Sequence, residues 1–335
     1  MGDASVKPLD ITVLGAGIFG LWQALTLARR GHKVQLIERS AEPFAQAASR
    51  WAGAMLAPYC EEEGADRQVR ELGLKSMPLW RQAFPGVIGN GTLVVAAARD
   101  RSELMRFQRQ TLGHALADAD HIARLEPDLA GRFQMGLVYA NEAHMEPRAA
   151  MAHLLVEAQR AGVDARFGVM ASGAERGCII DCRGLAARDV LPTLRGVRGE
   201  RLLVRSRDVA FRRPVRLLHP RHPLYVVPWS DGIHLVGATV IESEDTSPMT
   251  VRSALELLGL AYALHPAFGE AEIVELGAGL RPAFPDNVPK VVARGDRLFV
   301  NGAFRHGFLL APALAEIAAA FLETGFREPG MVVDG

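Results

Sequence analysis

The sequence predicts an α/β fold in which a parallel-sheet domain is interrupted by an α+β domain built on an antiparallel sheet. Three observations predict it. A strand–helix–strand unit opens the chain, the texture changes after Gly199 to short strands broken by proline and glycine, and a second glycine turn precedes the last helix.

The elements follow in chain order. Asp10-Ile11-Thr12-Val13-Leu14-Gly15 is a run of β-branched and aliphatic residues ending in glycine, which predicts a strand. A helix over 18–30 follows, with Arg29 and Arg30 in its last turn and Gly31 as C-cap. A strand over 33–39 comes at once, and connections this short require a right-handed crossover and a parallel pair. Residues 42–63 are small and irregular, which lets backbone approach another group closely. Further helices are predicted over 67–83, 101–116, 151–161, 251–264 and 312–322, with strands inside 86–97 and over 163–169, 179–182 and 297–300. Short strands at 201–205, 217–218, 224–227 and 234–240 supply the antiparallel sheet. The first domain is expected to take residues 1–80, 140–200 and 275–335, and the second 81–139 and 201–274.

Thirty-eight basic residues balance thirty-eight acidic ones, which argues against a nucleic-acid partner. The local excess formed by Arg212, Arg213, Arg216 and Arg221 reads as solvated strand ends. Cys60, Cys178 and Cys182 make no even framework and no CxxC pair, so a reduced, cytoplasmic setting is expected. The start from Met1 to Asp10 is polar and lacks the basic and apolar regions of a secretory signal. No window of 18 uninterrupted apolar residues marks a membrane span. His219 and His222 have no third ligand at metal-like spacing, so no metal site is expected. Cys60 has no nearby base and reads as inert, while Trp51, Trp80, Met77, Met105 and Met151 read as packing residues. Homo-oligomerisation stays open.

Gly15-Ala16-Gly17-Ile18-Phe19-Gly20 fits G-x-G-x-x-G between a strand and a helix, the context that gives this motif its meaning. Gly15 serves the tight turn, Gly17 the approach of a pyrophosphate, and Gly20 the packing of helix on strand. The helix N-terminus adds free N–H groups and a positive dipole end. Glu38 ends the second strand, 18 residues after Gly20, where its carboxylate meets ribose hydroxyls and disfavours the 2′-phosphate of NADP. The motif alone does not choose between NAD and FAD. The small-residue segment 47–56 in place of a second regular βαβ half favours FAD. So does the turn Asn301-Gly302-Ala303-Phe304-Arg305-His306-Gly307, whose following helix offers its N-terminus to the negative charge of a reduced flavin.

These blocks, in this order, resemble the D-amino-acid oxidase superfamily, and most closely its glycine oxidases of thiamine biosynthesis. The likeness runs nearly end to end. It rests on Gly15 to Gly20 with Glu38, on Ala52-Gly53-Ala54-Met55-Leu56-Ala57-Pro58, on His144-Met145-Glu146-Pro147, and on Tyr225-Val226-Val227-Pro228. It continues through Val236-Gly237-Ala238-Thr239 and Gly279-Leu280-Arg281-Pro282 to Phe304-Arg305-His306-Gly307-Phe308-Leu309-Leu310-Ala311-Pro312. The resemblance implies a Rossmann-like FAD-binding domain of the glutathione-reductase type with an inserted α+β substrate domain. It implies FAD against Ile18 and Phe19, with Glu38 and Arg39 at the ribose and Ala48, Ser49, Gly53, Ala54 and Met55 along the pyrophosphate and ring. Val169 would meet the adenine side through its backbone, and Ala303, Phe304, Arg305, His306, Gly307, Phe308 and Leu309 the flavin's other edge.

Arg281 matches the arginine that grips the substrate carboxylate, Arg305 a second arginine nearby, and Tyr225 the tyrosine of that pocket. A core role for Tyr225 and a capping role for His306 stand beside these readings. The chain departs from the family where Val240 replaces a methionine, Pro223 a histidine and His306 an asparagine, and where Asp181-Cys182-Arg183-Gly184 replaces Ala-Ala-Gly. No cysteine follows Cys182, so the FAD is expected to be non-covalent. The activity implied is oxidation of glycine, with sarcosine or other small amines, by O2 to an imine and H2O2. A D-amino-acid or N-methyl amino-acid oxidase or dehydrogenase is the alternative.

Overall fold

The computed structural model describes residues 7–173, 175 and 177–335, so residues 1–6 of the polar start lie outside the described chain. The opening unit forms as predicted: β1 (Asp10–Leu14), α1 (Ile18–Arg29) and β2 (Lys33–Glu38). β1 pairs in parallel with β2 on one side and with Cys178–Asp181 on the other. A strand so placed is covered on both faces, which is why four of its five residues are apolar or buried rather than alternating.

The sheet has seven strands in the order Val332–Asp334, Lys290–Arg294, Arg297–Asn301, Cys178–Asp181, β1, β2 and Asp164–Phe167. All its pairs are parallel except Lys290–Arg294 with Arg297–Asn301. A second sheet of eight strands holds the middle of the chain, with Glu272–Ala283 at one edge and Arg195–Arg205 beside it. Its pairs are antiparallel save one, Val215–Leu218 against Thr92–Ala96. The strands Arg195–Arg205 and Glu272–Ala283 run across the expected borders at 200/201 and 274/275.

The last helix, Gly307–Thr324, begins at Gly307 rather than at 312. Proline inside a helix leaves the carbonyl four residues back without its donor. Here that carbonyl belongs to Phe308, and Trp80 Nε1 donates to it at 2.7 Å. The indole also stacks on the Phe308 ring at 5.9 Å. The helix is long and apolar enough to cross a membrane by length and composition alone, yet most of it is buried against α1 and the helix Arg67–Ala83. Trp80→Phe keeps the ring and removes the donor, so a loss of about 1–3 kcal/mol is expected in urea unfolding.

Two other boundaries differ. The helix Pro147–Arg160 starts earlier than 151 because Pro147 occupies its first turn, where no intrahelical N–H is needed. The helix Arg101–Gln110 stops short of 116: the Thr111 hydroxyl takes the Phe107 carbonyl, and Ala115–Asp118 is a strand.

Candidate active site

A cavity of about 1150 Å³ is lined by residues of both sheets. At one end lies the turn between β1 and α1. Gly15 has φ +92° and backs onto the Cys182 carbonyl, which a Cβ would approach to 2.8 Å. Gly17 is different: a Cβ there would meet nothing nearer than Ser49 Oγ at 3.7 Å, so the space before α1 is open. Gly20 does not line the cavity. It lies against the Gly15 carbonyl, where a Cβ would come within 1.7 Å, and so seats α1 on the turn.

Glu38 fixes this end, accepting Ala16 N at 2.8 Å and Ser40 N at 2.9 Å. Ser49 Oγ accepts the Ile18 N–H at 3.1 Å. Arg39, Ala48, Ser49, Gly53, Ala54, Met55 and Val169 all line the cavity with Ile18 and Phe19. The Val169 N–H donates to the Glu38 carbonyl at 3.0 Å, which ties this residue to the end of β2. From the far side come Ala303 to Leu309, with Gly307 against Ile18, so the starts of α1 and of Gly307–Thr324 converge on one space. The first N–H groups of a helix have no intrahelical acceptor. Two residues of this lining, Ala54 at φ 49° and Phe304 at φ 50°, sit in the left-handed region, a local cost of about 1–3 kcal/mol each.

From the second sheet come Arg281 and Tyr225. Arg281 projects from Glu272–Ala283 and lies flat across the backbone of Gly199 on the paired strand; a Cβ on Gly199 would fall 2.1 Å from its Cζ. Its Nη1 donates to the Thr239 carbonyl at 3.1 Å, and Thr239 is itself pinned by Glu200, which donates N–H to its Oγ1 at 2.9 Å. Among the described residues no carboxylate pairs with Arg281. Burial lowers its pKa, helped by Arg305 and opposed by Tyr225 and Glu61. A desolvated cation without an acid partner is a receptor for an anion. The Tyr225 ring is held by Gly53 and Gly237, where Cβ atoms would approach it to 3.0 and 3.3 Å.

Arg305 is placed differently from Arg281. Its Nε and Nη2 both reach Glu61 Oε2, at 2.8 and 2.6 Å. Glu61 escaped the sequence reading because it is one of three consecutive acids on an irregular turn, Cys60–Gly64, with no periodicity to mark it. The same acid corrects the reading of Arg216 as a solvated strand end. Arg216 is buried, with Nη1 at 3.6 Å from Glu61 Oε1 and Nη2 at 3.6 Å from Glu63 Oε2. Arg213 is also drawn in, its Nε at 2.8 Å from the buried Glu126, while Arg212 and Arg221 are exposed.

Burial would raise the Glu61 carboxyl, but Arg305, His306 and Arg216 outweigh it and hold it at about 2. His306 precedes the last helix without a side-chain cap bond, contrary to the capping reading. Its Nδ1 lies 3.4 Å from Glu61 Oε2, and burial lowers it to about 4, so the ring is neutral at neutral pH.

The turn bearing Glu61 hangs from Glu142, which accepts Tyr59 N at 3.0 Å and Cys60 N at 2.7 Å. Burial raises Glu142 to about 7. A carboxyl raised in the folded state contributes stability that is complete below its unfolded value and is lost as pH rises through the folded one. Thermal stability is therefore expected to fall as pH climbs towards about 7, and Glu142→Gln to flatten that dependence. Cys60 is buried and burial pushes its thiol up, in keeping with an inert residue.

Known proteins resemble the chain in sequence and in fold. The model of the family DAO, FAD dependent oxidoreductase, matches residues 10–321. The chain belongs to this family. It is 50% identical over 323 residues to the "Putative thiamine biosynthesis oxidoreductase ThiO" of Rhizobium etli, covering 96% of this chain and 98% of that one. It is 28% identical to a glycine oxidase of Bacillus licheniformis, over 93% of this chain and 92% of the relative. The crystal structure of glycine oxidase from Geobacillus kaustophilus has the same fold, with a TM-score of 0.80 at 19% identity over 97% and 96% of the two chains.

As a member of the family of FAD-dependent oxidoreductases the protein takes FAD, and the residues present suit it. The open space at Gly17, the free lone pairs of Glu38 and the two converging helix starts offer room and charge for a pyrophosphate, a ribose and an electron-rich ring edge. The supporting roles of Gly199, Gly277 and Gly279 were also missed, since a strand glycine, even Gly279 within its motif, does not say what lies on it. Gly199 carries Arg281, and the other two carry the Trp51 indole, which Cβ atoms would approach to 2.1 and 2.7 Å. Gly199→Ala is expected to displace the Arg281 guanidinium and raise the KM of an amino-acid substrate about tenfold or more with bound flavin retained, read by steady-state kinetics.

Proposed function

We propose that the protein oxidises glycine, together with sarcosine or other small amines, to the imine, with O2 as acceptor and H2O2 as second product. Hydrolysis of a glycine imine gives glyoxylate and ammonia. The observation that carries this reading is Arg281, a half-buried guanidinium that lines the cavity with no acid partner among the described residues. Bound FAD supplies the acceptor for the hydride of the substrate α-carbon. The chain's own residues then have to orient, exclude water and keep the amine neutral.

Arg281 anchors the substrate carboxylate through its planar fork of donors and remains charged although burial lowers its pKa. Tyr225, packed on Gly53 and Gly237, closes one wall of that pocket. The positive charge of Arg281 disfavours a protonated amine beside it, which helps to hold the amine in its neutral, oxidisable form. Catalysis on this reading is mostly positioning. The contacts of FAD with Gly15, Gly17, Glu38, Ser49, Ala54 and the 303–309 segment, its non-covalent attachment, and the assignment of 81–139 and 201–274 to the substrate side belong to the same proposal. The relative of Rhizobium etli is named for thiamine biosynthesis, and that pathway is the proposed setting.

A panel of glycine, sarcosine, D-alanine and N-methyl amino acids assayed for peroxide tests it. Glycine or sarcosine is expected to give the highest kcat/KM. A clear preference for D-alanine would make the protein a D-amino-acid oxidase, and flavin reduction without peroxide would make it a dehydrogenase.

A further inference from the structure

We propose that Glu61 sets the charge class of the substrate: by holding Arg305 in an ion pair it leaves Arg281 as the one of these two arginines open to an anion, so that amines with one carboxylate are taken over amines with two. The inference rests on the reading of the cavity as an amine-oxidising site.

Arg281 and Arg305 both line the cavity, and each lowers the pKa of the other or of a shared neighbour, so their charges act on the same space. Two free guanidinium groups there would make a receptor for a dicarboxylate. Only one is free. Two N–H groups of Arg305 converge on a single oxygen of Glu61, while the other oxygen faces Arg216 at 3.6 Å. Arg216 is in turn shared with Glu63, and Glu63 with Arg106 at 2.9 Å. Glu61, Glu63 and Glu103 with Arg216, Arg305 and Arg106 therefore form a linked set of three acids and three bases. A neutral His306 seals it at 3.4 Å from Glu61.

A second carboxylate entering beside Arg305 would have to displace Glu61 from a partly exposed, doubly hydrogen-bonded pair and would meet its negative charge. Both effects oppose it. The backbone keeps the two arginines in register. Phe304 N–H donates to the Pro282 carbonyl at 2.9 Å, and Ala303 bridges Ala283, so the turn that bears Arg305 is tied to the end of the strand that bears Arg281.

The test is ligand binding to the FAD-loaded protein, read from the flavin band without turnover, with acetate against malonate and succinate. The native protein is expected to favour acetate. Glu61→Gln frees Arg305 and is expected to shift the ratio of dissociation constants towards the dicarboxylates by about tenfold or more. The double variant Glu61→Gln/Arg305→Gln is expected to lose that shift, which a merely structural role for Glu61 would not produce. An unchanged ratio in Glu61→Gln with flavin bound, or a shift that survives in the double variant, overturns the proposal. So does a native protein that binds malonate or succinate more tightly than acetate, a measurement that needs no variant to fold. Reduction of the native flavin by sarcosine is followed separately, so that failure of the amine-oxidising reading is told apart from failure of this one.

Discussion

Replacing Arg281 by alanine is expected to raise the KM for glycine about a hundredfold or more while FAD stays bound. Truncating one partner of a buried, charge-assisted pair costs about 2–5 kcal/mol, and each 1.4 kcal/mol is a factor of ten. The flavin should remain because Arg281 belongs to the second sheet, against Gly199 and the Thr239 carbonyl, while the β1–α1 turn belongs to the first. Arg281→Lys is expected to recover little, since a lysine has the charge without the planar fork that lies flat on a glycine backbone. Steady-state kinetics with the flavin absorbance measured alongside separates the two effects. An unchanged KM in the alanine variant would remove Arg281 from the substrate.

The second large effect is expected at Gly20. Its Cβ position lies 1.7 Å from the Gly15 carbonyl oxygen, and both groups are backbone, so no rotamer change relieves the overlap. Gly20→Ala must push α1 away from the turn and spoil the cradle that Gly15, Gly17 and Ser49 make together. Overpacking of this kind costs about 1–3 kcal/mol or more, so a loss of FAD affinity of roughly tenfold to a hundredfold is expected, with apoprotein recovered on purification. Gly17→Ala is the informative contrast. Its Cβ fits the protein, with Ser49 Oγ at 3.7 Å, so it should fold normally and lose affinity only through contact with the cofactor.

The opening βαβ unit was fully legible because its signals are local: β-branched strands, glycines at fixed offsets, and an acid at the end of β2. The start of the last helix was not. Proline reads as a boundary, and only the distant Trp80 donor to Phe308 lets the helix run through Pro312. The strand Glu272–Ala283 was hidden for a different reason. One of its faces is a bed of glycines under Trp51 and its edge is exposed, so apolar and polar residues do not alternate along it. Arg281, Tyr225 and the 303–309 turn were legible through motif resemblance, and they do meet in one cavity. Glu61 and the burial of Arg216 were not, because an ion pair between a turn and a strand far apart in the chain leaves no mark in either segment.

The most direct test is the visible spectrum of the FAD-reconstituted protein before and after glycine or sarcosine is added without air. The oxidised flavin band is expected to be present at first, to bleach on addition of the amine, and to return when air is admitted. Protein that stays colourless after soaking in FAD, or a flavin band that no small amine diminishes, would contradict the account.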